Sequence, residues 1–235
     1  FDETKFIMKK YNITASKSLG QNFLINENIV DGIVENAEVS KEDLIIEIGP
    51  GLGTLTSRLL EKAGRVICIE LDKRMVNIIT ERFSLYENFE VLFQDVLKVD
   101  LQKLISENLE KYNLKQAKVV ANLPYYITTP IIMKLLEEKL NLKNITVMVQ
   151  KEVAIRLTQI PGEKESGAIT YGIYYYTDPS IVLDVPRDSF IPSPEVDSAV
   201  IKLEILREPR VNVVDEESNK NKFYAKKKNI SKWFK

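Results

Sequence analysis

Two short segments hold residue types that chemistry can use. Asn122-Leu123-Pro124-Tyr125 is a proline-aromatic turn, and Glu47-Ile48-Gly49-Pro50-Gly51-Leu52-Gly53 is a glycine-rich loop. In the turn, Asn122 offers a side-chain carbonyl, and Leu123 a backbone carbonyl free to point inward because Pro124 fixes the next φ. Two acceptors suit the two hydrogens of an exocyclic amino group on a base such as adenine. They would draw charge onto its nitrogen and orient the lone pair. Tyr125 can stack on that base, with Tyr126 behind it or at the rim. No strong base is required, because the amine becomes acidic only as it is alkylated. Orientation and preorganised electrostatics would carry the catalysis. The competing reading is an asparagine-capped turn leading into the segment at Pro130.

Gly49, Gly51 and Gly53 allow a tight turn and a close approach of ligand to backbone. The run Leu44 to Ile48 reads as a buried parallel strand that feeds this loop. Open α/β sheets bind ligands at that edge. The next strand ends in Glu70-Leu71-Asp72, where a carboxylate can accept ribose hydroxyls: Glu70 first, Asp72 in reserve. After the third strand, Asp95 can accept from an adenine amino group, with Leu71 and Val96 over the ring faces; its alternative is an N-cap. The Gly-Pro-Gly-Leu-Gly spacing departs from the dinucleotide fingerprint. Glu47 would disfavour a phosphate and suit a cation. Adenosine, an amino acid and a positive sulfur fit this set, which points to S-adenosylmethionine. Phe190, in the rigid loop Phe190-Ile191-Pro192-Ser193-Pro194, is the candidate for the second face of the target base, or else a core residue.

The elements that must position these residues alternate along the chain. An amphipathic helix is expected within 26–38, strands at Leu44–Ile48, Arg65–Glu70, Phe89–Phe93, Ala117–Ala121 and Ile145–Gln150, and helices at Thr54–Lys62, Lys73–Leu85, Leu101–Lys111 and Pro130–Leu140. That rhythm predicts an open, mostly parallel α/β sheet with helices on both faces. The runs Ala168–Tyr176, Ile181–Val185 and Ser198–Leu203 could complete it with antiparallel edge strands. Periodicity leaves the first of these open between strand and helix.

Composition narrows the function classes. The chain has 235 residues, 44% hydrophobic and 29% charged, with a formal net charge of −1. That suits one large domain and gives no bulk signal for nucleic acid. Lysines gather near both ends, however, and a local basic face can bind phosphates. There is no histidine and one cysteine, Cys68, set in an apolar run. Zinc-dependent deamination is therefore disfavoured, no metal is expected, and a reducing, cytoplasmic setting fits. No apolar run reaches membrane-spanning length, and no signal-like apolar core opens the sequence.

These segments resemble the ribosomal RNA adenine N6,N6-dimethyltransferases, and more closely the small-subunit (16S) enzymes than the large-subunit macrolide-resistance methylases. The resemblance spans roughly residues 12–206. It is carried by Lys17–Leu24, Glu47–Gly53, Gln94-Asp95, Asn122–Tyr125, Met148–Val153 and Phe190–Val200. It implies a Rossmann-like S-adenosylmethionine-dependent fold over 1–206, with Gln21, Asn22 and Leu24 in an amino-terminal segment closing over the methionine part. Glu47, Gly49, Gly51, Glu70, Leu71, Asp95, Val96 and Asn122 would line the rest of that site. Asn122, Leu123, Tyr125 and Phe190 would engage the target adenine, and Lys17, Lys151 and Arg156 would contact RNA phosphates. The implied reaction dimethylates two adjacent adenosines near the 3′ end of small-subunit rRNA, in a partly assembled 30S-type subunit, with the enzyme a monomer. Residues 207–235 are expected to be a linker and the remnant of a small RNA-engaging helical domain, truncated or partly disordered. A large-subunit methylase, a small-molecule methyltransferase and a non-catalytic assembly module are the alternatives. One departure is Tyr126, where many relatives carry asparagine.

Overall fold

A computed structural model describes residues 2–15 and 21–210. Its elements in chain order are α1 (Asp2–Lys10), β1 (Phe23–Leu24), α2 (Glu27–Asn36), β2 (Asp43–Ile48), α3 (Thr54–Lys62), β3 (Arg65–Glu70), α4 (Lys73–Arg82), β4 (Phe89–Phe93), α5 (Leu101–Lys111), β5 (Gln116–Asn122), α6 (Thr128–Glu137), β6 (Leu142–Gln150), α7 (Lys151–Thr158), α8 (Ala168–Tyr176), β7 (Thr177–Val185), β8 (Phe190–Ile191) and β9 (Ser198–Ile205).

Seven strands form one sheet in the order β4-β3-β2-β5-β6-β9-β7. The first five run parallel, as expected of apolar strands joined by helices. At the far edge β7 pairs antiparallel with β9, and β9 pairs antiparallel with β6. The Ala168–Tyr176 run resolves as helix. Its β-branched and aromatic residues favour a strand locally, but Ile173 and Tyr175 are buried and Gly172 lies against Met133 of α6, so tertiary packing decides.

Helices cover both faces. On one, α5, α6, α7 and α8 bury Leu101, Ile105, Ile131, Ile132, Leu157 and Ile173 against β2, β5 and β6. On the other, α2, α3 and α4 bury Ile33, Leu59 and Ile79 against the opposite-facing residues of β2, β3 and β5, such as Ile45, Val66 and Val120. A third, smaller cluster holds Ile7 of α1, Phe23 of β1, Leu52 of the glycine loop, and Met75 and Ile78 of α4. It fastens the amino-terminal arm over the carboxyl end of the sheet. The arm's short β1 pairs with β8, Leu24 opposite Phe190. The order in which the strands are added reverses between β2 and β5, and ligands bind in the crevice at such a point.

Candidate active site

The carboxyl ends of β2, β3, β4 and β5 and the arm around β1 enclose a cavity lined by Gln21 to Leu24, the glycine loop, Glu70 to Asp72, Gln94 to Val96 and Asn122 to Ile127. Every residue expected from the sequence to hold the cofactor therefore meets at one place. The glycines have the backbone the turn demands: φ is +68° at Gly49, +55° at Gly51 and +81° at Gly53. The Phe23 ring lies directly over Gly51, where a Cβ would stand 3.5 Å from it.

Glu70 is built into this loop. One carboxylate oxygen accepts from the backbone N–H groups of Leu71 and Asp72, each at 2.8 Å, and the other from Gly51 N–H at 3.3 Å. Burial raises its pKa against those three bonds. The second oxygen keeps acceptor capacity at the cavity wall. Asp72 is otherwise occupied: it caps α4 through Arg74 N–H, pairs with the Arg74 guanidinium at 2.7 Å and accepts from Gln21 at 3.2 Å. The guanidinium holds its pKa below the usual carboxylate range. Asp95 makes the N-cap that was its alternative reading, and this does not remove it from the cavity. One oxygen caps the turn after β4 by accepting from Leu97 N–H at 3.0 Å, and the residue still lines the cavity.

Glu47 departs from expectation. It lines the cavity wall, yet its carboxylate turns into the sheet–α3 interface, accepting from Thr56 Oγ1 at 2.7 Å and Cys68 Sγ at 3.4 Å. Burial pushes its pKa up to about 7, outweighing those two bonds. It is not a free counter-charge for a cation, because strand alternation aims it beneath α3.

The acceptor turn begins at the last residue of β5. Leu123 N–H donates to Met148 O at 3.2 Å, and the Leu123 side chain is core. Asn122 is half-buried on the cavity wall, and its side-chain amide takes no protein hydrogen bond among the described residues. Its backbone carbonyl lies close to Gly49, so the turn and the glycine loop abut. Tyr125 is half-buried, and its hydroxyl lies 2.7 Å from Ser198 Oγ. Burial keeps that phenol above its ordinary pKa, so it stays protonated. Tyr126 projects outward at the rim, 61% exposed.

Phe190 is not brought to the cavity. It is 2% exposed and packs with Leu24, Val185 and Val200 in the core. Its place opposite Leu24 in the β1–β8 pair turns the ring inward, so in this structure the core reading of Phe190 holds. Lys151 opens α7 and pairs with Asp184 at 2.8 Å, while Arg156 is exposed on the same helix. Lys17 lies outside the described residues, as do 211–235, which include most of the expected carboxyl-terminal remnant. Sequence reasoning missed Ser198. Its signal was a small hydroxyl directly before the apolar run Ala199-Val200-Ile201 of β9.

The comparisons with known proteins decide the family. The model of the family "Ribosomal RNA adenine dimethylase" matches residues 12–233. The chain belongs to this family. It is thus an S-adenosylmethionine-dependent methyltransferase of ribosomal RNA adenines. The dimethylase is 52% identical to "Ribosomal RNA small subunit methyltransferase A" of Alkaliphilus oremlandii (strain OhILAs), over 92% of this chain and 74% of the relative. It is 51% identical to the protein of that name from Bacillus pumilus (strain SAFR-032), over 91% and 73%. Among solved structures it resembles a dimethyladenosine transferase from Plasmodium falciparum, with TM-score 0.68, 33% identity, and 78% of this chain and 63% of that one covered. It also resembles the 23S rRNA methyltransferase ErmE, with TM-score 0.71 and 27% identity over 86% and 77%. Fold likeness is similar for the two structures.

Proposed function

We propose that this dimethylase methylates N6 of two adjacent adenosines near the 3′ end of small-subunit rRNA, within a partly assembled subunit, acting as a monomer in the cytoplasm. The small-subunit assignment follows its relatives at about 50% identity, whereas identity to the 23S enzyme is 27%. The observation that carries the chemistry is the Asn122 amide, half-buried and without a protein partner among the described residues, at the junction of the glycine loop and the Tyr125 turn. A polar amide at such a place is suited to hydrogen-bond a ligand.

The residues fit S-adenosylmethionine, because the positive-φ glycines open the loop backbone to a ligand and Glu70 presents an acceptor beside it. When bound, the cofactor supplies an electrophilic methyl on a sulfonium. Gln21, Asn22 and Leu24 would cover its methionine part, Glu70 would accept from its ribose, and Asp95 from its adenine between Leu71 and Val96. Asn122 Oδ1 and the Leu123 carbonyl would hold the two hydrogens of the target amino group, aiming its lone pair across Gly49. Tyr125 would stack on the target base. Ordering the amine rather than deprotonating it in advance accounts for a site without histidine.

Asn122→Ala should lower single-turnover methyl transfer by about 100-fold or more, by analogy with the loss of one preorganised polar contact. S-adenosylmethionine affinity, read by calorimetry, should change less than about threefold. Equal losses in both would place Asn122 in general pocket architecture and refute its acceptor role.

A further inference from the structure

β9 is antiparallel to β6, so its first residue stands where the parallel strands end. Ser198 lies opposite Gln150, the last residue of β6, at the edge where the cavity opens. It is fully buried, and its hydroxyl meets the Tyr125 hydroxyl at 2.7 Å. A buried hydroxyl without a partner is costly, and an apolar residue would serve the strand equally well. The backbone around Tyr125 is pinned separately, by Leu123 N–H on Met148 O and by Ile127 N–H and Thr128 Oγ1, both on Pro124 O. Those bonds fix the backbone but not the ring, whose tilt is set by its own torsions, by the packing of its buried part and by the bond at its tip.

We propose that Ser198 is a positioning residue for methyl transfer, holding the Tyr125 ring in the plane on which the target adenine stacks. The proposal rests on Tyr125 as the stacking residue. It gives β9 a part in the acceptor site, whose other contacts come from the turn after β5. A loosened ring would still offer its face but would spend less time in the productive tilt, so turnover falls while cofactor binding does not.

The test is a double-mutant cycle on the full chain, with saturating S-adenosylmethionine and unmethylated small-subunit particles. Ser198→Ala and Tyr125→Phe should each slow single-turnover transfer about three- to tenfold, as expected for one hydrogen bond. The double variant should be no slower than either single one, and cofactor Kd should not move. Losses that multiply in the double variant, or a wild-type rate in Tyr125→Phe, would overturn the proposal. Tyr125→Phe decides alone if Ser198→Ala does not fold. Tyr125→Ala separates the two levels: a wild-type rate there removes the stacking assignment itself, whereas a large loss there beside wild-type hydroxyl variants removes only the role of Ser198.

Discussion

Glu47 is a carboxyl that water hardly reaches, and its titration should be visible in stability. Its pKa in the folded chain is about 7, against an ordinary 4.5. A raised carboxyl means that the folded state holds the proton more tightly than the unfolded state. Its contribution is therefore fully present below pH 4.5 and is lost as pH rises through about 7. Glu47→Gln keeps an acceptor for Thr56 and removes the titration. Relative to that variant, the wild-type chain should lose about 2–3 kcal/mol between pH 5 and pH 8 in urea unfolding. A difference that stays constant across this window would show that Glu47 is solvated or paired otherwise. The sequence placed this residue correctly at the loop but read its carboxylate as facing the ligand. The parallel register setting Glu47 opposite Cys68, and Thr56 one turn into α3, depends on the assembled sheet.

At the scale of elements, the glycine loop is where local geometry and tertiary packing constrain each other. Gly53 starts α3 at φ +81°, and a Cβ there would lie 2.6 Å from the Phe83 ring. That ring is braced by Tyr86 and Phe89, and Arg82 beside it donates to Leu52 O, so little can yield. Gly53→Ala should cost about 2–3 kcal/mol in urea unfolding, combining left-handed strain with overpacking. A cost below about 0.5 kcal/mol would mean that the loop relaxes freely. The need for glycine here was legible from its place after a buried strand, and the parallel strands and their helices were legible from periodicity. Two placements were not. Phe190 sits in a proline-rich segment whose ring could face the ligand or the core, and only its pairing with Leu24 turns it inward. Ala168–Tyr176 has strand-like composition but forms a helix because α6 packs against it.

For the whole molecule, net charge near zero puts the burden of RNA affinity on local cations. Lys151 and Arg156 share α7, which starts where β6 reaches the site edge. Replacing either with alanine should weaken binding to ribosomal particles and reduce the slope of log affinity against log salt by about 0.7–0.9, with S-adenosylmethionine affinity unchanged. An unchanged slope would remove that residue from the phosphate contacts. Among the described residues no helix is long and apolar enough to cross a membrane. The chain spans about three quarters of the length of its curated relatives. The central claim is dimethylation of small-subunit adenosines, and one measurement reaches it directly. Full-length protein would be incubated with isotope-labelled S-adenosylmethionine and unmethylated ribosomal particles of each subunit, and labelled nucleotides mapped by mass spectrometry. The account predicts dimethyladenosine at two adjacent positions near the 3′ end of small-subunit RNA, and none in large-subunit RNA. Label confined to large-subunit RNA, or no label despite cofactor binding, would contradict it.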